Sequence, residues 1–225
     1  LTQDFDYQWK NIPSVNIEYN ADRVKELLGV TKLSPGFFRN KMCLDAGCGN
    51  GRYTYALQQL GAKVVSIDIS KEAIKECIKI NPDSFQVDIM DLDPIKKYDF
   101  VLSWGVIHHT PDPLKAFKKL ASQVKPGGML HIMVYNKVNQ KRYAIYRKIW
   151  KYLSIRLQLF LCKLLKVRYG GNIHGWFDAL NPSYNWSFDR FQVRNWFISE
   201  GFNEIKATRI YNINMQGVKV IPIEL

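Results

Sequence analysis

The chain has 225 residues, 47% of them apolar and 13% aromatic, with a net charge of +12. That balance excludes a disordered polymer, and the length supports one domain with additions. No apolar run reaches the ~20 residues that a membrane-crossing helix needs, and no cleavable leader is legible in a sequence that starts without Met. Cys43, Cys48, Cys77 and Cys162 form no CxxC pair, and no histidine spacing completes a zinc set. They read as buried thiols in a reducing compartment, so a cytoplasmic protein without a structural metal is expected. The charge is concentrated in one place. Between Asn136 and Phe177 there is no acid and there are ten cations, leaving the rest of the chain nearly balanced.

In chain order, residues 1–40 form a cap of different texture. Phe5-Asp-Tyr-Gln-Trp9 is aromatic and irregular, and Asp22 is expected to cap a helix that runs to about Leu28 and ends at Gly29. Met42–Ala46 follows as a buried strand. Gly47, Gly49 and Gly51 then fall within five residues, and a helix starts near Tyr53. Glycines at a strand-to-helix turn allow positive φ and let a ligand approach without meeting a Cβ. The helix behind them presents free N–H groups. Asp45, two residues before the first glycine, would repel a pyrophosphate and suits a cationic amino group. The spacing also departs from G-x-G-x-x-G, with Arg52 where that fingerprint wants glycine.

From Met42 onward, strands and helices alternate as in a parallel sheet with crossover helices. Ser70 caps a helix over Lys71–Ile80, stopped by Asn81-Pro82. Asp99–Ser103 is a buried strand, Pro113 starts a helix to about Val124, and Pro126-Gly127-Gly128 turns into strand Leu130–Val134. Residues 137–187 break the alternation. Ile145, Ile149, Leu153, Leu157, Phe160 and Leu164 mark an apolar stripe on one or two helices, with Arg147, Lys148, Lys151 and Lys163 off it. Ser187 is expected to cap a helix over Phe188–Glu200, ended by Gly201. Phe202–Ile213 and Val218–Ile223 read as two strands around a turn at Asn214–Gly217. The organisation expected is a cap (1–40), a cofactor-binding core (41–136), a basic helical insertion or lid (137–187) and a C-terminal helix with a strand pair (188–225).

Five segments together resemble the class I S-adenosylmethionine-dependent methyltransferases. Leu44-Asp-Ala-Gly-Cys-Gly-Asn-Gly51 is similar to their first motif, and Val64–Ser70 to their second strand. Phe85–Ile89 is similar to the third strand, Tyr98–Asp112 to the fourth strand and its loop, and Lys125–Val134 to the turn into the fifth. The resemblance implies a Rossmann-like, mostly parallel seven-stranded α/β sheet with helices on both faces and an antiparallel C-terminal strand pair. It implies S-adenosyl-L-methionine as cofactor. Asp45, Gly47, Gly49, Asn50, Gly51, Asp68, Ile69, Asp88, Ile89 and Ser103 would hold it, Asp68 taking the ribose hydroxyls and Asp88 facing the adenine amino group. Asp45, Asp68, Asp88 and Ser103 also lie at or near strand carboxyl ends, where the ligand of such a sheet belongs.

His108 and His109, after the fourth strand, are the candidate bases, because imidazole titrates near neutrality and can take a hydroxyl proton. Alternatively they only hold a loop. His174 is a third candidate, in a cluster whose wording Gly-Trp-Phe-Asp resembles a segment of bacterial methyltransferases acting on surface sugars or lipids. Tyr7, Trp9, Trp104, Trp176 and Tyr184 are candidates for the acceptor site, against the plainer reading of aromatics that pin loops. No Asn/Asp-Pro-Pro-Tyr/Phe follows the fourth strand, no Pro-Cys occurs, and no carboxylate set suggests a catechol-type metal site. A small-molecule acceptor remains, with O-methylation of a sugar, nucleotide-sugar or lipid-linked intermediate favoured. The alternatives are an RNA methyltransferase using the basic helix and a non-catalytic cofactor-binding subunit. The basic segment reads first as a lid, next as a peripheral membrane contact through 141–166, then as an RNA face. Oligomeric state is open.

Overall fold

The computed structural model describes residues 2–12, 21–94, 98–141, 143–171, 173–209 and 211–222. Two helices, α1 (Thr2–Asn11) and α2 (Ala21–Thr31), precede the first strand, β1 (Met42–Ala46). Then follow α3 (Arg52–Gln59), β2 (Lys63–Asp68), α4 (Lys71–Cys77), β3 (Ser84–Gln86), β4 (Tyr98–Trp104), α5 (Pro113–Ala121) and β5 (Val124–Val134). Four helices come next: α6 (Lys137–Gln140), α7 (Tyr143–Trp150), α8 (Ile155–Tyr169) and α9 (Ile173–Leu180). The chain returns to the sheet through α10 (Arg190–Ser199), β6 (Phe202–Arg209) and β7 (Ile213–Lys219).

The sheet order is β3-β2-β1-β4-β5-β7-β6. β1 to β5 pair in parallel, while β7 runs antiparallel to both β5 and β6. This is the expected sheet. The strand order reverses between β1 and β4, so the loops leaving their carboxyl ends diverge and open a crevice. Side chains alternate across the strands. Leu44 and Val101 enter one buried cluster with Phe117 of α5 and Phe197 of α10. Cys43, Phe100 and Leu102 enter another, on the opposite face, with Leu57 of α3 and Val30 of α2. Trp150, Cys162, Phe177 and Leu180 form a separate helical layer, joined by Ile12 just past α1.

Several local expectations change. Phe5–Trp9 is helical, not irregular. Its Asp6 accepts a hydrogen bond from Ser70 Oγ at 2.6 Å, which ties α1 to the start of α4. Gly29 does not end α2. The helix continues to Thr31 because Val30 and Thr31 are buried, and the left-handed residue is Lys32 (φ 58). Asp22 lies in the first turn of that helix. Ser70 does cap α4, accepting from Ala73 N–H, but the regular helix ends at Cys77, short of Ile80. The Pro113 helix likewise stops at Ala121, and Asp112 caps it through Lys115 N–H.

Asp189, not Ser187, caps α10, accepting from Gln192 N–H at 2.8 Å. The last turn was misplaced as well. Asn214–Gly217 lies inside β7, where Gln216 is buried against His131 and Gly217 has no room for a side chain, a Cβ there meeting Phe197 at 2.9 Å. The apolar stripe is broken, because Ser154 caps a new helix through Leu157 N–H. Ile145 lies outside the described side chains. Ile149, Leu157, Phe160 and Leu164 point outward, while Trp150, Leu153 and Cys162 pack inward.

Candidate cofactor and acceptor site

A cavity of about 630 Å³ opens at the carboxyl ends of β1 to β4, a size usual for small-molecule sites. One wall is the glycine turn. Gly47 and Cys48 N–H groups both donate to Ile67 O, which folds the turn against β2. Gly47 (φ 82) and Gly49 (φ 55) are left-handed, and a Cβ would lie 2.2 Å from Val106 Cγ2 at the first and 2.6 Å from Trp9 Cζ2 at the second. Side chains at these two positions would collide with Val106 and Trp9.

Asp68 stands at the end of β2. Its Oδ2 accepts from Gly49 N–H at 2.9 Å and its Oδ1 from Ser70 N–H at 2.9 Å. Burial pushes its carboxyl up to about 6, against the pull of those two backbone bonds. Asp88 follows β3 and accepts from Met90 N–H, shaping the short turn that sets Ile89 into the wall. Asn50, Ile69, Asp88 and Ile89 join Asp68 in lining the cavity.

Three expected cofactor residues lie behind this lining. Asp45 is 2% exposed and accepts from Thr54 Oγ1 at 2.7 Å. Gly51 begins α3 in a left-handed conformation, with Ile80 where its side chain would be. Ser103 is fully buried in β4, its Oγ without a partner among the described residues.

The opposite wall carries imidazole and carboxylate. His108 and His109 sit in a short 3-10 turn after β4, which rotates them apart. His108 is fully buried against the Tyr135 ring (centroids 3.8 Å apart), and neither ring nitrogen has a partner among the described residues. Burial, then the neighbouring His109, holds it well below the usual histidine range, so it stays neutral. It does not reach the cavity.

His109 does. Its Nδ1 lies 2.9 Å from Tyr184 O and its Nε2 3.4 Å from Asp178 Oδ2. A carbonyl can only accept, so Nδ1 donates to Tyr184 O, while Nε2 faces the Asp178 carboxylate. Tyr135 OH donates to the same Asp178 oxygen at 3.1 Å. Asp178 comes from α9, which Arg147 of α7 anchors by donating Nε–H to Ala179 O.

Among the acceptor candidates, Trp9 and Trp104 line the cavity. Trp104 stacks on the buried His131 ring and meets Tyr53 edge-on. Tyr7 is instead stacked on Phe177, and Trp176 donates its Nε1–H to Gly170 O, so both serve the helical layer. Tyr184 contributes its carbonyl, while its ring is partly exposed. His174 lies in α9, but its side chain is outside the described residues. Asp178, the acid of the Gly-Trp-Phe-Asp cluster, lines the cavity, as do Phe5, Gln8, Met133 and Lys166, for which the sequence carries no local signal.

A doubly wound sheet with a phosphate-averse glycine turn and acids after two successive strands defines a domain that binds a nucleoside lacking a pyrophosphate. Residues 17–205 match the methyltransferase domain family. The chain belongs to that family, among the class I S-adenosylmethionine-dependent methyltransferases. It is 31% identical over 113 residues to the ubiquinone biosynthesis O-methyltransferase of Coxiella burnetii, a match covering 47% of each chain. With the protein of the same description from Xanthomonas campestris it is 35% identical over 102 residues, covering 42% of this chain and 43% of that one. The aligned region thus spans about half the length of these curated relatives. The fold also matches the magnesium protoporphyrin IX methyltransferase of Synechocystis with bound SAM. The TM-score is 0.58 at 17% identity, over 96% of this chain and 90% of that one.

Proposed function

We propose that this protein transfers a methyl group from S-adenosyl-L-methionine to a hydroxyl of a small-molecule acceptor, of the sugar, nucleotide-sugar or lipid-linked class, at the cytoplasmic side of the cell. The observation that carries this reading is one cavity with Asp68 and Asp88 on one wall and the His109–Asp178 pair on the other. The cofactor fits the residues present. The turn presents bare backbone to the cavity at Gly47 and Gly49, and the nearby carboxylates favour a cationic ligand without phosphate. When bound, the cofactor supplies an electrophilic methyl on a sulfonium.

The chain's own residues supply position and a proton acceptor. Asp68 spends two lone pairs on Gly49 and Ser70 N–H groups, which fixes the carboxylate and leaves it able to accept from a ribose diol. Asp88 and Ile89 would flank the base. Alignment of acceptor and methyl accounts for most of the rate in such a displacement. The His109–Asp178 pair, Nε2 and Oδ2 3.4 Å apart, would take the acceptor's hydroxyl proton. Tyr135 holds that carboxylate from the other side. The O-methyltransferase descriptions of the curated relatives support oxygen as the target atom.

The test is incubation with methyl-labelled S-adenosylmethionine and fractionated cell extract, followed by separation of lipids, small soluble products and RNA. Label in the lipid or small-molecule fraction is expected. His109→Gln should cut turnover by roughly 10²–10⁴ while leaving cofactor affinity intact, and His108→Phe should leave turnover within a few-fold of wild type. Label in RNA alone, or none despite cofactor binding, would overturn the reading.

A further inference from the structure

The helical layer leaves one face uncovered. On α8, Leu157, Phe160, Leu164 and Val167 recur at three- and four-residue steps and are 42%, 55%, 48% and 85% exposed. At 3.6 residues per turn they lie within about 80° of one another around the helix. Single exposed apolar residues are ordinary, but four in line on one helix are not. The opposite face is used internally. Cys162 is buried, Leu161 and Leu165 pack into the layer, and Gln158 donates its Nε2–H groups to Trp150 O and Leu153 O.

The charges around the stripe are ordered too. The same wheel puts Arg156 and Lys163 along one margin and Arg168 along the other, all exposed. The acid-free run continues well beyond the helix in both directions. No helix among the described residues is long and apolar enough to cross a membrane. An apolar stripe edged by cations, on a helix that cannot span, fits the plane of an anionic bilayer surface. There the stripe would enter the acyl boundary while the long cationic side chains reach the headgroups. A nucleic acid would want its cations at the centre of the face, where this helix has aliphatic groups and one phenyl ring.

We propose that α8 docks this protein on an anionic lipid membrane through the Leu157–Phe160–Leu164–Val167 stripe. Lys166, on the side of the helix turned away from the stripe, borders the cavity. Docking therefore sets the cavity rim about one helix diameter, roughly 10 Å, back from the lipid surface. Resting on the methyl-transfer reading, this narrows the acceptor to a molecule anchored in or presented by the bilayer.

Binding is measured by co-sedimentation with vesicles, one set pure phosphatidylcholine, the other equal parts phosphatidylcholine and phosphatidylglycerol. No cofactor or acceptor is present, so a failure of docking and a failure of methyl transfer are seen separately. The wild type is expected to bind the anionic vesicles and to release as salt rises. Phe160→Gln with Leu164→Gln should weaken that binding at least about tenfold, as should Arg156→Gln with Lys163→Gln. Both pairs are exposed, so their circular dichroism spectra should match wild type. Absence of binding to anionic vesicles at low salt would overturn the proposal, as would wild-type binding by the Phe160/Leu164 pair. Tighter binding to a single-stranded RNA oligonucleotide than to vesicles, unaffected by that pair, would also overturn it and make this a nucleic-acid face.

Discussion

Asp45 offers a direct test of how the fold carries charge beneath the glycine turn. Its carboxyl is buried behind the turn and accepts from Thr54 Oγ1 at 2.7 Å. Burial pushes it from 3.8 up to about 6. The Thr54 bond opposes that shift, and the charge of Asp68 adds to it. An acid held above its unfolded value binds its proton more tightly in the folded chain. Its contribution to stability is therefore full below about pH 4 and is lost as pH rises through about 6. A displacement of about two pH units corresponds to about 3 kcal/mol of stability missing at neutral pH. Asp45→Asn keeps an acceptor for the Thr54 hydroxyl and removes the charge. Weakening that bond costs about 1 kcal/mol, so the apo-protein should gain about 2 kcal/mol at neutral pH. In a chain of this length that is a rise in Tm of roughly 4–8 °C. Below about pH 3 the gain should give way to a deficit of about 1 kcal/mol, since wild type is then protonated in both states and only the weakened Thr54 bond remains. Thermal denaturation of both proteins across the window decides it. Curves that run parallel, or a variant less stable than wild type at neutral pH, would refute the argument.

Two other perturbations bear on the cavity walls. Gly49→Ala sets a Cβ 2.6 Å from Trp9 Cζ2 at a φ of 55, so calorimetric titration should show cofactor affinity reduced at least tenfold. Adding Trp9→Ala should recover only the steric share, because about 1 kcal/mol of backbone strain persists; full recovery would show that the left-handed turn is not needed. Ser70→Ala removes both the acceptor for Ala73 N–H and the donor to Asp6. It should cost about 1–2 kcal/mol and speed amide exchange within α1, and unchanged exchange there would dismiss Asp6–Ser70 as the tie.

The cofactor half of the site was legible because its signals are local. Positive φ favours glycine, and an acid at or just past a strand's end, like Asp68 and Asp88, needs no distant partner to be noticed. The acceptor half depends on long-range packing. His109 and Asp178 are 69 residues apart and meet only because α9 folds back over the turn after β4. Nothing in His108-His109 tells which imidazole faces the cavity, since a 3-10 turn settles it by rotation. β7 was misread for a related reason. Asn214 and Gln216 look like turn residues until β5 and β6 pair with their backbone and His131 meets the Gln216 side chain. The apolar stripe across residues 145–164 fits one helix or two, and the break before Ser154 makes them two with separate phases.

Helix α1 has a bearing on the cavity's walls. Its Phe5, Gln8 and Trp9 close one side of the cavity, its Asp6 is latched to Ser70, and Ile12 just beyond it is buried in the helical layer. Neither Asp6 nor Ser70 lines the cavity, yet their hydrogen bond couples the wall that α1 provides to the end of β2, where Asp68 stands.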